Sequence, residues 1–306
     1  MKTKKDLLNI TDLSRDEILE IFSRAQFYKA RRRNNQPVLP VLKGRTIGLF
    51  FRKPSSRTRI SFEVAIYELG GKPLFMSAEQ LQLSRGETIS DTAKVFDRYL
   101  NGLVIRTFEQ EEIEEFAGIV HFPVINALTD LFHPCQILAD FFTIWERRKN
   151  LKSLTLTYIG DGNNVCNTII LGADVLGMRC NVATPPQFRV QSKIWGLVKN
   201  KKLFREGTNP ADFIPQSDII YTDTWVSMGD EEEAEKRRKI FQPFQVNSDL
   251  LKNAPKNYMF MHCLPAHRGW EVTGDILDGA HSIVWDQTEN RLHIQKAIFH
   301  FLYARK

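Results

Sequence analysis

The run Thr46-Ile47-Gly48-Leu49-Phe50-Phe51, followed at once by Arg52-Lys53-Pro54-Ser55-Ser56-Arg57-Thr58-Arg59-Ile60-Ser61-Phe62, most constrains what this chain can become. An apolar stretch suited to one buried strand meets a Pro/Ser turn, and Phe62, Val64, Ala65 and Leu69 then fall on mixed helical spacing. The reading is strand, loop, helix N-terminus. Such a junction leaves backbone N–H groups without intrahelical acceptors and sets the positive end of the helix dipole behind them. The loop adds the hydroxyls of Ser55, Ser56 and Thr58 and the guanidinium groups of Arg57 and Arg59. Cations in a first helical turn oppose the dipole, so the pattern predicts a bound phosphate or similar dianion. The plainer alternative is an N-cap followed by solvated arginines.

At 306 residues the chain has room for two domains. A hydrophobic fraction of 42% and a charged fraction of 25% are those of a globular protein. No apolar run approaches the ~20 residues that span a bilayer. The basic start Met1-Lys2-Thr3-Lys4-Lys5 leads to an apolar stretch too short for a signal peptide, so the cytoplasm is expected and no membrane partner. Cys135, Cys166, Cys180 and Cys263 lack C-x-x-C spacing, which argues against a zinc knot or disulfide framework. The net charge of +6 admits nucleic acid as a partner. Yet the one tight basic run, Arg31-Arg32-Arg33, follows a predicted helix and reads as its dipole-matched last turn, so no nucleic-acid partner is expected.

Along the chain, Ser14-Arg15-Asp16-Glu17 reads as a capping box opening a helix with Ile18, Ile21, Phe22, Ala25 and Tyr28 inward. After the anion loop, Gly70-Gly71-Lys72-Pro73 reads as a break, and the polar stretch 77–88, which contains Gln82, as a loop. A helix is expected from Ile89 to Leu100 with Thr92, Val95 and Phe96 inward. Leu103-Val104-Ile105-Arg106 reads as a buried parallel strand delivering a cation to the sheet's carboxyl end. Helix from Glu109 to Phe116, strand from Phe122 to Asn126, and His133-Pro134-Cys135-Gln136 before a helix from Ile137 to Arg148 complete the first half. His133 is either a cap or core group, or a site residue.

The pattern restarts at Leu154 with a strand running into Gly160-Asp161-Gly162-Asn163-Asn164 and an apolar helix to Leu176. A third glycine in dinucleotide-binding register is missing, so that signal is weak. Strand from Met178 to Thr184 and helix from Val190 to Val198 follow. A strand then ends in Asp223, which either caps a helix over 231–239 or holds an ammonium group. Tyr258 to His262 is a buried strand that runs into Cys263-Leu264-Pro265, where the cysteine is a small core residue or a reactive one. Ser282-Ile283-Val284-Trp285 reads as a last strand and Asn290 to Ala304 as a terminal helix, whose start carries Arg291 and again invites an anion or carbonyl oxygen.

Four motifs taken together, Ser-x-Arg-Thr-Arg at 55–59, His-Pro-x-Gln at 133–136, Asp-x-x-x-Ser-Met-Gly at 223–229 and His-Cys-Leu-Pro at 262–265, resemble the aspartate/ornithine carbamoyltransferase family. The resemblance runs over nearly the whole chain in order. It implies an α/β fold of two doubly wound parallel-sheet domains: residues 1–149 for carbamoyl phosphate, with helix 289–306 packing back on them, and 150–288 for the amino acid, the two sites facing a cleft. It also implies carbamoyl transfer from carbamoyl phosphate to the δ-amine of L-ornithine, giving L-citrulline and phosphate for arginine biosynthesis, without metal or cofactor. Residues implied to hold carbamoyl phosphate are Ser55, Ser56, Arg57, Thr58, Gln82, Arg106, His133, Gln136, Cys263, Leu264 and Arg291. Asn164, Asp223, Ser227 and Met228 are implied for ornithine, and Arg106, His133, Asp223 and Cys263 for the chemistry. Gln82, from a neighbouring subunit, implies a homotrimer or a multiple of trimers. Arg52 departs from the family, where an acidic residue is frequent, and puts the ion pair at that place in doubt. Alternatives are a relative using putrescine or an N-acylornithine, and a noncatalytic binding protein of the same fold.

Overall fold

The computed structural model describes residues 4–77, 86–226 and 233–304. The chain forms two compact units, residues 1–142 with 289–306, and 143–288. In the first unit come α1 (Arg15–Arg33), β1 (Thr46–Phe51), α2 (Ser56–Glu68), β2 (Lys72–Ser77), α3 (Ile89–Tyr99), β3 (Gly102–Arg106), α4 (Gln110–Ile119), β4 (Val124–Leu128) and α5 (Pro134–Arg147). The second unit holds β5 (Thr155–Ile159), α6 (Asn164–Leu176), β6 (Arg179–Ala183), α7 (Ser192–Leu197), β7 (Phe204–Gly207), β8 (Ile219–Thr222), α8 (Ala234–Phe241), α9 (Ser248–Leu251), β9 (Met259–His262) and α10 (Gly274–Leu277). Then α11 (Val284–Tyr303) returns the chain to the first unit.

Both sheets are parallel, in the orders β2-β1-β3-β4 and β7-β6-β5-β8-β9. Each reverses direction once, at β1/β3 and at β5/β8. In a doubly wound sheet the loops leaving two such strands diverge, and the crevice at their carboxyl ends is where ligands bind. The order therefore selects the loops after Phe51 and Arg106 in one unit and after Ile159 and Thr222 in the other, two pairs of register partners.

The capping box at Ser14 is formed, Glu17 N–H donating to Ser14 Oγ and Ser14 N–H to Glu17 Oε2 at 2.9 Å. Four expectations change. β2 and β7 are edge strands that the sequence hides. Pro73 sits near the outer start of β2, where a missing N–H is tolerated, and Arg205 and Glu206 make β7 polar. Val95 is outward at 44% exposure and Ala93 takes the buried place. Ser282 makes a single bridge to Phe260 rather than a strand, because α11 already begins at Val284. Consequently Arg291 lies two turns inside that helix and not at its start.

α11 is held by apolar contact, such as Phe299 on Phe62 at 6.1 Å between centroids, and by a ladder of buried polar groups. Lys29 Nζ donates to Asn290 Oδ1 at 2.7 Å, and Lys296 Nζ to Glu68 Oε2 at 2.6 Å. Arg24 can only donate to His300 Nε2, so the His300 proton is on Nδ1, 2.6 Å from the Tyr28 hydroxyl. His293 is wholly buried, and burial together with Lys296, Lys29, Arg32 and Arg33 pushes it down to about 2 despite Glu289 at 3.2 Å. A ring neutral in the fold and protonated below its ordinary 6.5 when unfolded takes up a proton on unfolding. Stability from this group is thus complete above pH 6.5 and falls as the pH drops below it, by about 1.4 kcal/mol per unit. We expect the urea stability of the His293→Gln protein to lose about 2 kcal/mol less than that of the parent between pH 6.5 and 5. Parallel pH curves would contradict the assignment.

Candidate active site

In the first unit Ser55 is the N-cap of α2, its Oγ accepting the Thr58 N–H at 3.4 Å. The hydroxyls of Ser55 and Thr58 are 3.0 Å apart. Thr58 is buried and its Oγ1 accepts from Arg291 Nη2 at 2.8 Å, so α11 anchors the anion loop from behind. The two arginines of the loop differ. Arg59 is paired with Glu63 at 2.9 Å and its guanidinium lies over the Phe75 ring at 3.7 Å. That pair, one turn on, supplies the countercharge for which the sequence invoked an anion. Arg57 is exposed and makes no hydrogen bond or ion pair with a described residue, and Ser56 is exposed beside it.

Arg106 ends β3 at a register shift against β4, where Ile105 pairs with Asn126 and Arg106 with Leu128. Such irregularities re-aim a side chain at a strand end. Its carbonyl accepts the Arg52 N–H at 2.8 Å. The Arg52 side chain pairs with Glu112, which also accepts from Thr107, and lies over Phe108. The unusual cation at position 52 is therefore neutralised on the α4 side.

His133 precedes α5, where Pro134 at the first helical position fixes the turn. Burial first, then the positive charges of Arg291 and Arg106, hold the ring well below its ordinary pKa. Three turns of logic converge here: a strand end, a helix start and a returning helix supply Arg106, His133 and Arg291. Gln136, in the first turn of α5, donates from Nε2 to Asp140 Oδ1 at 2.8 Å, while its buried Oε1 has no hydrogen-bond partner among the described residues. Such an acceptor costs stability until a donor arrives. Gln82 lies outside the described residues.

In the second unit Asp223, directly after β8, does not cap α8, whose N-cap is Glu233. Its Oδ1 accepts the Cys263 thiol at 2.9 Å and the Thr224 N–H at 2.8 Å, and its Oδ2 accepts Asn163 Nδ2 at 2.9 Å. Asn164, named from the sequence, is the first residue of α6, and its carbonyl accepts the Thr168 hydroxyl at 2.7 Å. Asn163, which the sequence reading passed over in favour of Asn164, is the side chain that meets Asp223. Its N-cap position, readable from the helix start, was the available signal. Asp161, in the Gly-Asp-Gly turn, is committed to Arg237. Ser227 and Met228 lie outside the described residues.

Cys263 follows β9, and its backbone is fixed from behind. The Leu264 N–H donates to His262 Nδ1 at 2.8 Å, which leaves the His262 proton on Nε2, 3.2 Å from the buried Glu271 Oε1. Leu264 itself is held at a φ of +58°, a conformation a branched residue adopts only under such constraint. Ligand atoms of Asp223, His262 and Cys263 lie within 4.8 Å of one another. Both His262 nitrogens are engaged, however, so the trio offers an ion one thiol and one carboxylate, short of a tetrahedral set.

Residues 5–146 match the family model described as aspartate/ornithine carbamoyltransferase, carbamoyl-P binding domain, and residues 152–302 the one described as its Asp/Orn binding domain. The chain belongs to the aspartate/ornithine carbamoyltransferase family. It is 46% identical over 303 residues to the ornithine carbamoyltransferase of Pyrococcus horikoshii, covering 97% of this chain and 95% of that one. The anabolic ornithine carbamoyltransferase of Pyrococcus furiosus is 46% identical over 299 residues, covering 96% of this chain and 95% of that one. The solved P. furiosus structure superposes with a TM-score of 0.94 at 45% identity, covering 99% of this chain and 98% of that one. The anabolic ornithine carbamoyltransferase of Campylobacter jejuni gives 0.91 at 36% identity, covering 99% of this chain and all of that one. Gly160-Asp161-Gly162, a weak dinucleotide signal in the sequence, forms the turn that leads into Asn163 at the start of α6, with the Gly162 N–H donating to Phe188 O at 2.9 Å.

The neutral state of His133 can be observed directly. We expect its imidazole ¹⁵N resonances in the unliganded protein to remain those of a neutral ring from pH 8 down to pH 5. A midpoint near 6.5 would contradict the burial and the two flanking cations.

Proposed function

We propose that the chain transfers the carbamoyl group of carbamoyl phosphate to the δ-amine of L-ornithine, giving L-citrulline and phosphate, the anabolic step toward arginine. The observation that carries this reading is the Cys263–Asp223 hydrogen bond after β8 and β9, an amine-directed pair in a chain that resembles ornithine carbamoyltransferases over its length.

In this account the phosphate occupies the N-terminus of α2, where Ser55, Ser56, Arg57 and Thr58 meet it, with Arg106 and, through Thr58, Arg291 behind. Gln136 Oε1 accepts from the carbamoyl NH2, the role its missing partner supports. The family resemblance assigns Cys263 and Leu264, of the His-Cys-Leu-Pro motif, to carbamoyl phosphate as well. The δ-amine attacks the carbamoyl carbon, a C–N bond forms, and the C–O bond to phosphate breaks. Negative charge on the carbonyl oxygen meets Arg106, His133 and Thr58, donors of a kind worth ~3 kcal/mol each. A neutral His133 still donates one N–H there without competing for the phosphate's charge. The amine, with an ordinary pKa of ~10.4, gives one proton to the Asp223 carboxylate, which Cys263 orients, before it attacks, and its second proton leaves with the departing phosphate. Ser227 and Met228 hold the amino-acid end together with Asn164. Each step uses groups of the chain and an already activated leaving group, so the proposal invokes no metal or organic cofactor.

A homotrimer, with Gln82 completing a neighbour's site, is part of the same proposal. It is supported by exposed apolar side chains on adjoining elements of the first unit, Ile60 and Tyr67 of α2 and Leu74 of the edge strand β2. The four free cysteines support the cytoplasm as its compartment.

Side-by-side assays with ornithine, putrescine and N-acetylornithine should give turnover with ornithine alone. Arg57→Ala should abolish it through lost phosphate binding, and Cys263→Ala should chiefly weaken ornithine use. Preference for another acceptor would replace the substrate assignment, and no product with both substrates saturating would favour a noncatalytic role. Light scattering giving a monomer would remove the trimer.

A further inference from the structure

We infer that Asn163 is a positioning residue for the amine-binding carboxylate, setting the orientation of Asp223 while capping α6. The inference rests on the proposed role of Asp223 and adds to it a residue that carries no assigned part in the reaction.

The side-chain amide of Asn163 has two faces with different duties. Its Oδ1 accepts the N–H groups of Val165 and Cys166 at 3.0 and 3.1 Å, as an N-cap does. Tyr158 OH points to the same oxygen from 3.4 Å. Three donors on one atom fix which end of the amide is oxygen, so the NH2 faces Asp223 Oδ2 at 2.9 Å. The backbone cannot drift to relax this. Gly162 N–H donates to Phe188 O at 2.9 Å, and a Cβ on Gly162 would stand 2.7 Å from backbone atoms of Arg189 and Val190.

Asp223 thereby has both oxygens assigned. Cys263 and Thr224 use Oδ1, and Asn163 uses one lone pair of Oδ2, leaving the other for the incoming amine. Thr224, the second donor on Oδ1, is itself steadied by His267 Nδ1 at 3.3 Å from its hydroxyl. Removing the Asn163 donor would let the carboxylate turn about its Cβ–Cγ bond and break the Cys263 alignment. The cap and the donor can be separated by chemistry, because Asn, Asp and Ser all cap helices well but only Asn carries an N–H toward Asp223.

The test compares Asn163→Ser, Asn163→Asp and Asp223→Asn with the parent enzyme. Both Asn163 variants should keep the parent's thermal midpoint and its KM for carbamoyl phosphate. Their kcat/KM for ornithine should fall by about 10- to 100-fold, the value of one hydrogen bond to a charged group. In Asn163→Asp two carboxylates share the place, one of them must hold a proton, and the acid limb of the ornithine kcat/KM profile should move to higher pH. Parent-like ornithine kinetics in Asn163→Ser, with Asp223→Asn impaired, would overturn the inference alone. Parent-like kinetics in Asp223→Asn would overturn the role of Asp223 and the inference with it. A loss of thermal midpoint with equal losses for both substrates and an unmoved pH profile would reduce Asn163 to a helix cap.

Discussion

A single hydrogen bond, from the Arg291 guanidinium to the Thr58 hydroxyl, decides much of how the first unit is organised. Thr58 belongs to the first turn of α2 and Arg291 to a helix more than two hundred residues later, so the bond is available only once α11 has returned. Burying a guanidinium is costly unless its donors are used. Burial first, and then the buried cations Arg291 and Arg106, hold the His133 ring neutral. The consequence is a pair of cations beside an uncharged donor, suited to a ligand that combines a dianionic group with a neutral carbonyl.

The second unit solves the opposite problem. A carboxylate meant for an amine has to stay oriented while it waits. Three donors, from Asn163, Cys263 and Thr224, do this for Asp223. The Cys263 backbone is in turn braced by Leu264, His262 and Glu271. Both arrangements sit where their sheets reverse, at β1/β3 and β5/β8, so strand order and site chemistry have the same origin.

How legible this was in the sequence varied with how local the cause is. The βα junction at Phe51–Ser56, the Ser14 capping box and the buried strands announced themselves through spacing and residue type. The edge strands did not, because a strand with one neighbour need not be apolar, and β2 opens with Lys72-Pro73. α11 began earlier than its pattern suggested, since buried Gln287, Asn290 and Arg291 interrupt the apolar face of its first turns for partners that only the tertiary fold supplies. The same limit appears at the sites. That a phosphate loop was present could be read, but not that Arg59 would be spent on Glu63 and Phe75 while Arg57 stayed open. Two adjacent asparagines were visible, and only the helix boundary told them apart.

The central claim is that a dianion with a carbamoyl group fits the carboxyl end of the β1/β3 pair. Its most direct measurement is a crystal structure with phosphonoacetamide, the stable analogue of carbamoyl phosphate. The account predicts the phosphonate against the first turn of α2 with Arg57 folded onto it, the carbonyl oxygen on His133 and Arg106, and the amide NH2 on Gln136 Oε1. A phosphonate bound elsewhere, or an Arg57 still pointing into solvent beside an occupied site, would contradict it.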